Sequence, residues 1–182
     1  MTPAEFTLRT ARVEYHHRGA FFSELYLFVS LCLERGVTRI IESGVYHGVS
    51  TRVFRAIWPG RVSSIEFRPD QVPPDLEPDL IVGDGCVIVP LIVDDFRSET
   101  VGVFLDGPKG AGAVLLREWC FTQPQVRVVA QHDSPRGAGE LIHSYDETFR
   151  RETGDALDAR IDPNLRSQYV NGCPGMGVWV AA

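Results

Sequence analysis

The chain holds 182 residues, 44% of them apolar and 23% charged, the size and make-up of one soluble domain that buries a core unaided. Twenty-four acidic against 18 basic side chains leave a formal charge of −6, which argues against a nucleic-acid binder tracking phosphates and against docking on anionic membrane. The four cysteines, Cys32, Cys86, Cys120 and Cys173, stand far apart without a C-x-x-C pair, so a zinc cluster or dense disulfide framework is excluded and reduced thiols in a cytoplasmic protein are expected.

From the start of the chain, MTPAEFTLRT lacks the basic and apolar regions of a secretory signal. The most apolar stretch, Leu25–Leu33, has about half the length of a membrane span. Phe21, Leu25, Phe28, Val29 and Cys32 recur at helical spacing and predict a helix over Ala20–Arg35. Thr38–Glu42 reads as a strand, Val49–Trp58 as a helix, and Arg61–Glu66 and Asp79–Val82 as strands two and three. Val101–Asp106 is strand four, Ala111–Phe121 a helix and Gln125–Gln131 strand five. A helix near Gly139–Arg151 and a last strand over Gly175–Ala181, apolar on both faces, complete the chain. Gln71–Pro78 is the one proline cluster, about the length of a surface loop.

Strand–helix alternation predicts an α/β architecture: a single Rossmann-like, doubly wound, mostly parallel seven-stranded sheet with helices on both faces. Residues 1–36 would form an N-terminal helical cap and 37–182 the core. Ligands of such sheets lie beyond the carboxyl ends of the strands, so the residues just after each strand carry the functional argument.

After strand one comes Glu42-Ser-Gly-Val-Tyr-His-Gly-Val-Ser-Thr51. Gly44 and Gly48 permit a tight strand-to-helix turn, and Ser50 and Thr51 can bond near the helix start. The loop is not G-x-G-x-x-G. Its acid would repel a pyrophosphate and suit a ligand with a cationic amine; a plain turn is the other reading. Glu66 ends strand two, 22 positions after Gly44, where an acid accepts from the hydroxyls of a ribose or is simply solvated. Gly83-Asp-Gly-Cys86 follows strand three; Asp84 could accept from an adenine amino group, or the segment is a turn. Asp106-Gly-Pro-Lys109 and His132-Asp133 follow strands four and five. Asp106 and Asp133 are 27 positions apart, one strand–helix–strand return, so their carboxylates could converge on a hard cation or serve as caps.

Together these loops resemble the class I S-adenosylmethionine (SAM) dependent methyltransferases, most closely the catechol O-methyltransferase type and related metal-dependent small-molecule O-methyltransferases. The resemblance covers roughly Ile40 to Ser134. It implies that Glu42, Gly44, Tyr46, Gly48 and Ser50 wrap the methionine part of SAM, and that Glu66 holds the ribose, followed by Phe-Arg-Pro-Asp70. It matches Gly83 through Pro90, with Asp84, Gly85 and Cys86, to the adenine side, and Asp106 to a position near cofactor and metal. Metal ligands would be Asp106, His132 and Asp133, with Mg²⁺ or Mn²⁺ as the ion. The family's usual Asp-Asn pair is His132-Asp133 here, and histidine suits Mn²⁺, Fe²⁺ or Zn²⁺ better than Mg²⁺. Alternatively Asp106 and Asp133 bind metal while His132 acts as base or orients substrate.

Lys109 is the only lysine beside 17 arginines. The resemblance places the family's catalytic lysine at Lys109, and a general base must shed its proton, which arginine does not do, so Lys109 or His132 is the expected catalytic base; a helix-start turn that holds its lysine by chance is the other reading of Pro-Lys-Gly. Burial and an adjacent cation would bring the lysine down toward neutrality. The expected activity is SAM-dependent O-methylation of a small hydroxylated acceptor. A nicotinamide-dependent oxidoreductase and a SAM-fold binding protein without turnover are the rival readings. Candidate acceptor walls are Tyr15, His16, His17, Tyr46, Trp58, Tyr145 and the Pro163–Pro174 loop, with Tyr15–His17 at the place of a substrate lid. A homodimer is the default assembly.

Overall fold

A computed structural model describes residues 1–133, 143–144, 153–164 and 176–180. Helix α1 (Pro3–Arg9) starts at a Thr2 capping box, and α2 (Phe22–Glu34) follows. The chain then runs β1 (Arg39–Ser43), α3 (Val49–Ile57), β2 (Arg61–Glu66), β3 (Leu80–Val82), α4 (Gly85–Asp95), β4 (Val101–Leu105), α5 (Ala111–Phe121) and β5 (Val126–Gln131). The two-residue β6 (His143–Ser144), a helical turn at Asp155–Leu157 and β7 (Gly177–Val180) follow.

The strands order as β3-β2-β1-β4-β5-β7-β6. The pairings from β3 to β5 are parallel, whereas β7 runs antiparallel to both β5 and β6. The sheet is therefore mixed. Six strands of three residues or more carry it, and the seventh place is taken by the two residues of β6. This corrects the expectation of a mostly parallel sheet of seven full strands, and it places a strand inside the span expected to be helical, Gly139–Arg151. The antiparallel β7 supplies the partner that recruits those two residues. The rest of that span lies outside the described residues, as do Ser134, Tyr145, Cys173 and most of the Pro163–Pro174 loop.

Alternation along the buried strands explains why both faces are covered. Ile40, Phe104, Val128 and Ala130 face one side and join Phe28, Phe54 and Phe6 there. Ile41, Val103, Leu105 and Val129 face the other side with Val89, Val93, Leu116 and Cys120. The ring centroids of Phe28, Phe54 and Phe104 are 5.3–5.6 Å apart, which locks α2 and α3 onto β4. Residues of the 1–36 segment thus share one core with the sheet. The Arg160 guanidinium lies 3.4 Å from the Phe22 ring centroid and donates to the Thr10 carbonyl and hydroxyl, while Asp158 accepts from the amide and hydroxyl of Ser23.

From β1 the chain passes to β2 and β3 on one side, then returns to β4 on the other. The switch point lies between β1 and β4, where a crevice opens at the carboxyl ends. Among the described residues no helix is long and apolar enough to cross a membrane.

Candidate functional site

A cleft of about 220 Å³ occupies this switch point. It is lined by Ser43 and Gly44 after β1, Ile65, Glu66 and Phe67 after β2, Gly83, Asp84 and Gly85 after β3, and Gly107 and Pro108 after β4. Its floor is main chain. A Cβ on Gly44 would lie 2.5 Å from the Gly107 nitrogen, and one on Gly85 would lie 2.0 Å from the Ser43 hydroxyl oxygen. Gly44 also has φ +94, so both the turn and the close approach require glycine. The Ser43 hydroxyl donates to the Gly107 carbonyl, and the Asp106 and Gly107 amides donate to the Ser43 carbonyl. The loops after β1 and β4 are thereby bound to each other.

Glu66 stands at the edge of the cleft. Its Oε2 accepts from the Val45 and Tyr46 amides at 2.8 and 2.9 Å, and its Oε1 from the Arg68 amide at 2.9 Å. A carboxylate has about four acceptor sites, so capacity for ligand hydroxyls remains while the backbone fixes its aim. Phe67 beside it is 69% exposed, a large apolar ring held at the rim. Asp84 caps α4, accepting from the Cys86 amide at 2.9 Å through Oδ1.

The sequence-derived cofactor residues divide on this geometry. Gly44, Glu66, Asp84 and Gly85 line the cleft. Tyr46, Gly48, Ser50, Cys86 and Asp106 lie around it without lining it. Gly48 is the left-handed N-cap of α3, and the Cys86 thiol turns toward the Gly112 carbonyl. Glu42 is wholly buried, its Oε2 accepting from the Thr51 and Ser64 hydroxyls at 2.7 and 2.8 Å. It braces α3 and β2 against β1 beneath the loop. Trp58 is corrected as an acceptor wall: it closes the far end of α3 beside Gly60 and Thr38, at the opposite end of the strands.

A charged cluster adjoins the cleft. Gly107 and Pro108 line the cleft, while Asp106 and Lys109 on either side of them belong to the cluster. The Lys109 ammonium bonds Asp106 at 2.5 Å and Asp133 at 2.7 Å. His132 places Nδ1 3.1 Å from Asp106 and 3.5 Å from Asp133, and Nε2 3.3 Å from Glu24. Glu24, buried in the first turn of α2, is a site residue that sequence reading missed; its carboxylate also accepts from the Phe21 amide. Asp133 and Tyr46 are the two non-glycine residues with positive φ among the described residues, at 55° and 48°.

The electrostatics follow from these contacts. Burial disfavours the Lys109 ammonium, but Asp106 and Asp133 outweigh it and hold its pKa above the ordinary value. Burial alone therefore does not bring Lys109 down toward neutrality; of the two causes expected to lower it, only an added cation beside Asp106 and Asp133 would act in that direction. Burial likewise opposes charge on His132, yet Asp106, Glu24 and Asp133 raise it well above 6.5. Asp106 lies below its ordinary value because His132 and Lys109 overcome burial, and Asp133 is lowered chiefly by its bond to His132. One donor atom each of Asp106, His132 and Asp133 lies within 4.8 Å of the others, so this set could hold a divalent cation, which would have to displace the Lys109 ammonium and the proton on His132. Two carboxylates and an imidazole suit Mn²⁺ or Fe²⁺ better than Mg²⁺.

No protein-family model matches the chain, and no curated protein matches it in sequence. Solved structures similar to it include cofactor-bound Rv0187 from MTB, at 18% identity over 97% of this chain and 88% of that one, TM-score 0.49. Another is an S-adenosyl-L-methionine methyl transferase from Silicibacter pomeroyi DSS-3, at 13% identity over 100% and 99%, TM-score 0.47. A third is a protein assigned as an O-methyltransferase from Klebsiella pneumoniae, at 16% identity over 99% and 90%, TM-score 0.47. The chain is similar to SAM-dependent methyltransferases.

Proposed function

We propose that this protein is a SAM-dependent methyltransferase that methylates an oxygen of a small hydroxylated molecule. The observation that carries the reading is the switch-point cleft, with Glu66 aimed by three backbone amides and a cluster of ionisable groups one residue beyond its wall. A nucleoside fits the cleft: Glu66 accepts from the ribose hydroxyls, Phe67 offers a ring face to the base, and the glycine floor admits close approach. The sulfonium end then points toward Gly107 and Asp106.

Methyl transfer is an in-line displacement. The acceptor oxygen forms the new C–O bond as the C–S bond breaks, its proton leaves to a base, and the sulfur becomes a neutral thioether. Holding the two reactants in line supplies much of the rate. Asp106, His132 and Asp133 would hold a divalent ion, which when bound lowers the pKa of an acceptor hydroxyl beside it. Lys109 is the counter-cation of Asp106 and Asp133 in the ligand-free chain. Neutralising those carboxylates by another cation would remove the pull that keeps Lys109 protonated, and the amine left after it sheds its own proton could then take the proton of the acceptor hydroxyl. Glu24 orients His132 from the α2 side.

Calorimetry with S-adenosylhomocysteine (SAH) tests the reading. Wild type should bind, and Glu66→Ala should lose about tenfold or more, the worth of charge-assisted bonds to a ribose. Lys109→Ala should keep SAH affinity while turnover of hydroxylated acceptors disappears. Absence of SAH binding by wild type, with and without Mn²⁺, overturns the proposal.

A further inference from the structure

Outside this centre, four basic side chains and a phenol meet where the loop before α2 crosses the loop after β1. The His16 ring lies 3.7 Å from that of His47, tilted 34° to it, and 4.3 Å from that of His17. Tyr46 meets His16 and His47 edge-on at 5.8 and 4.0 Å, and Arg18 donates to the Tyr46 hydroxyl at 3.4 Å. Tyr46 holds the strained positive φ noted above.

In a chain with more acids than bases, this group stands apart. Among the described residues no carboxylate lies within ion-pair distance of His16, His17, Arg18 or His47. The neighbouring Arg52 donates to the His47 carbonyl, and its acid, Asp75, is engaged with it at 2.7 and 2.8 Å. The neighbouring cations oppose a charge on His16. Burial first, then His47, His17 and Arg18, holds His16 below 6.5. A bound dianion removes that repulsion and allows several rings to donate at once.

The position connects both halves of the site. Tyr46 and His47 follow Gly44, which lines the cleft, and His16 to Arg18 lead into α2, whose Glu24 touches His132. We propose that His16, His17, Arg18 and His47 bind a phosphate group of the methyl acceptor, making the substrate a hydroxylated phosphate monoester. The proposal rests on the methyltransferase reading of the adjoining cleft. Phosphate fits better than carboxylate because several single donors carried on two different loops suit a three-oxygen dianion, whereas a planar carboxylate is served by one guanidinium fork.

The test titrates inorganic phosphate into the SAH-loaded full chain, by calorimetry and by the Cε1–H signals of the histidines. Wild type should bind phosphate and shift three histidine signals. The double variant His16→Gln/His17→Gln, and separately Arg18→Gln, should weaken phosphate about tenfold or more while SAH affinity stays within about twofold. Acetate should bind at least about tenfold more weakly than phosphate. Unchanged phosphate affinity in both variants, or no phosphate binding by wild type, overturns the proposal. So does a loss of SAH affinity in the double variant with 5′-methylthioadenosine unaffected, which would assign the cluster to the cofactor's own carboxylate. Failure of wild type to bind SAH defeats the methyltransferase reading instead; phosphate is then titrated into the ligand-free chain, where the same variant comparison judges the anion site.

Discussion

Position 42 holds a carboxylate wholly enclosed between β1, β2 and α3, with one oxygen lacking a hydrogen-bond partner among the described residues. Burial pushes its pKa from the ordinary 4.5 to about 7, against the pull of the Ser50, Thr51 and Ser64 hydroxyls. Between those values the native chain retains a proton that the unfolded chain has released, so stability falls as pH rises through this window and levels off above it. The loss is about 3 kcal/mol. Glu42→Gln keeps the hydroxyl bonds and removes the titration. Urea unfolding at pH 5 and pH 8 should show the variant's advantage over wild type growing by about that amount. Gly44 supplies a second test. An alanine there meets the Gly107 nitrogen at 2.5 Å in a left-handed conformation, so Gly44→Ala should cost about 2–4 kcal/mol and abolish SAH binding. Thermal melts and calorimetry on the same sample separate the two effects.

Element by element, α2 connects the N-terminal segment to the centre. Its start is held by Asp158, and its first turn presents Glu24 to His132. Asp158→Ala leaves the buried amide and hydroxyl of Ser23 without this acceptor and should destabilise by about 2 kcal/mol, read by denaturant midpoint. Much of this level was legible in the sequence. The five strands from β1 to β5 fell within a residue or two of their expected bounds, because apolar β-branched runs ended by glycines and acids mark buried parallel strands. Helix α4 was not read. Gly85–Asp95 is apolar on nearly every side, rich in valine and isoleucine, and interrupted by Pro90, so it lacks helical periodicity. It forms because Asp84 caps it and Val89, Ile92 and Val93 bury against the sheet. In the site, Gly44, Glu66, Asp84 and Gly85 were found by spacing from strand ends. Glu24 was not, because its contact with His132 joins distant parts of the chain and no local pattern announces it.

At the scale of the whole molecule, one sheet carries both the core and the cleft, so ligand binding and folding are coupled by mass action. SAH at about 100 times its dissociation constant should add about 2.7 kcal/mol and raise Tm by about 5–10 °C for a chain this long. NAD at equal concentration should leave Tm unchanged. An equal shift by NAD would favour the oxidoreductase reading.

The contact between Gly44 and Gly107 has an evolutionary consequence. Where two backbones touch, no side chain exists to be exchanged, so mutation cannot retune the floor of the cleft without breaking it. New ligand preferences in descendants of this chain must arise at its margins, at Glu66, Phe67, Asp84 and the histidine corner. The floor acts as a fixed datum against which those changes are selected.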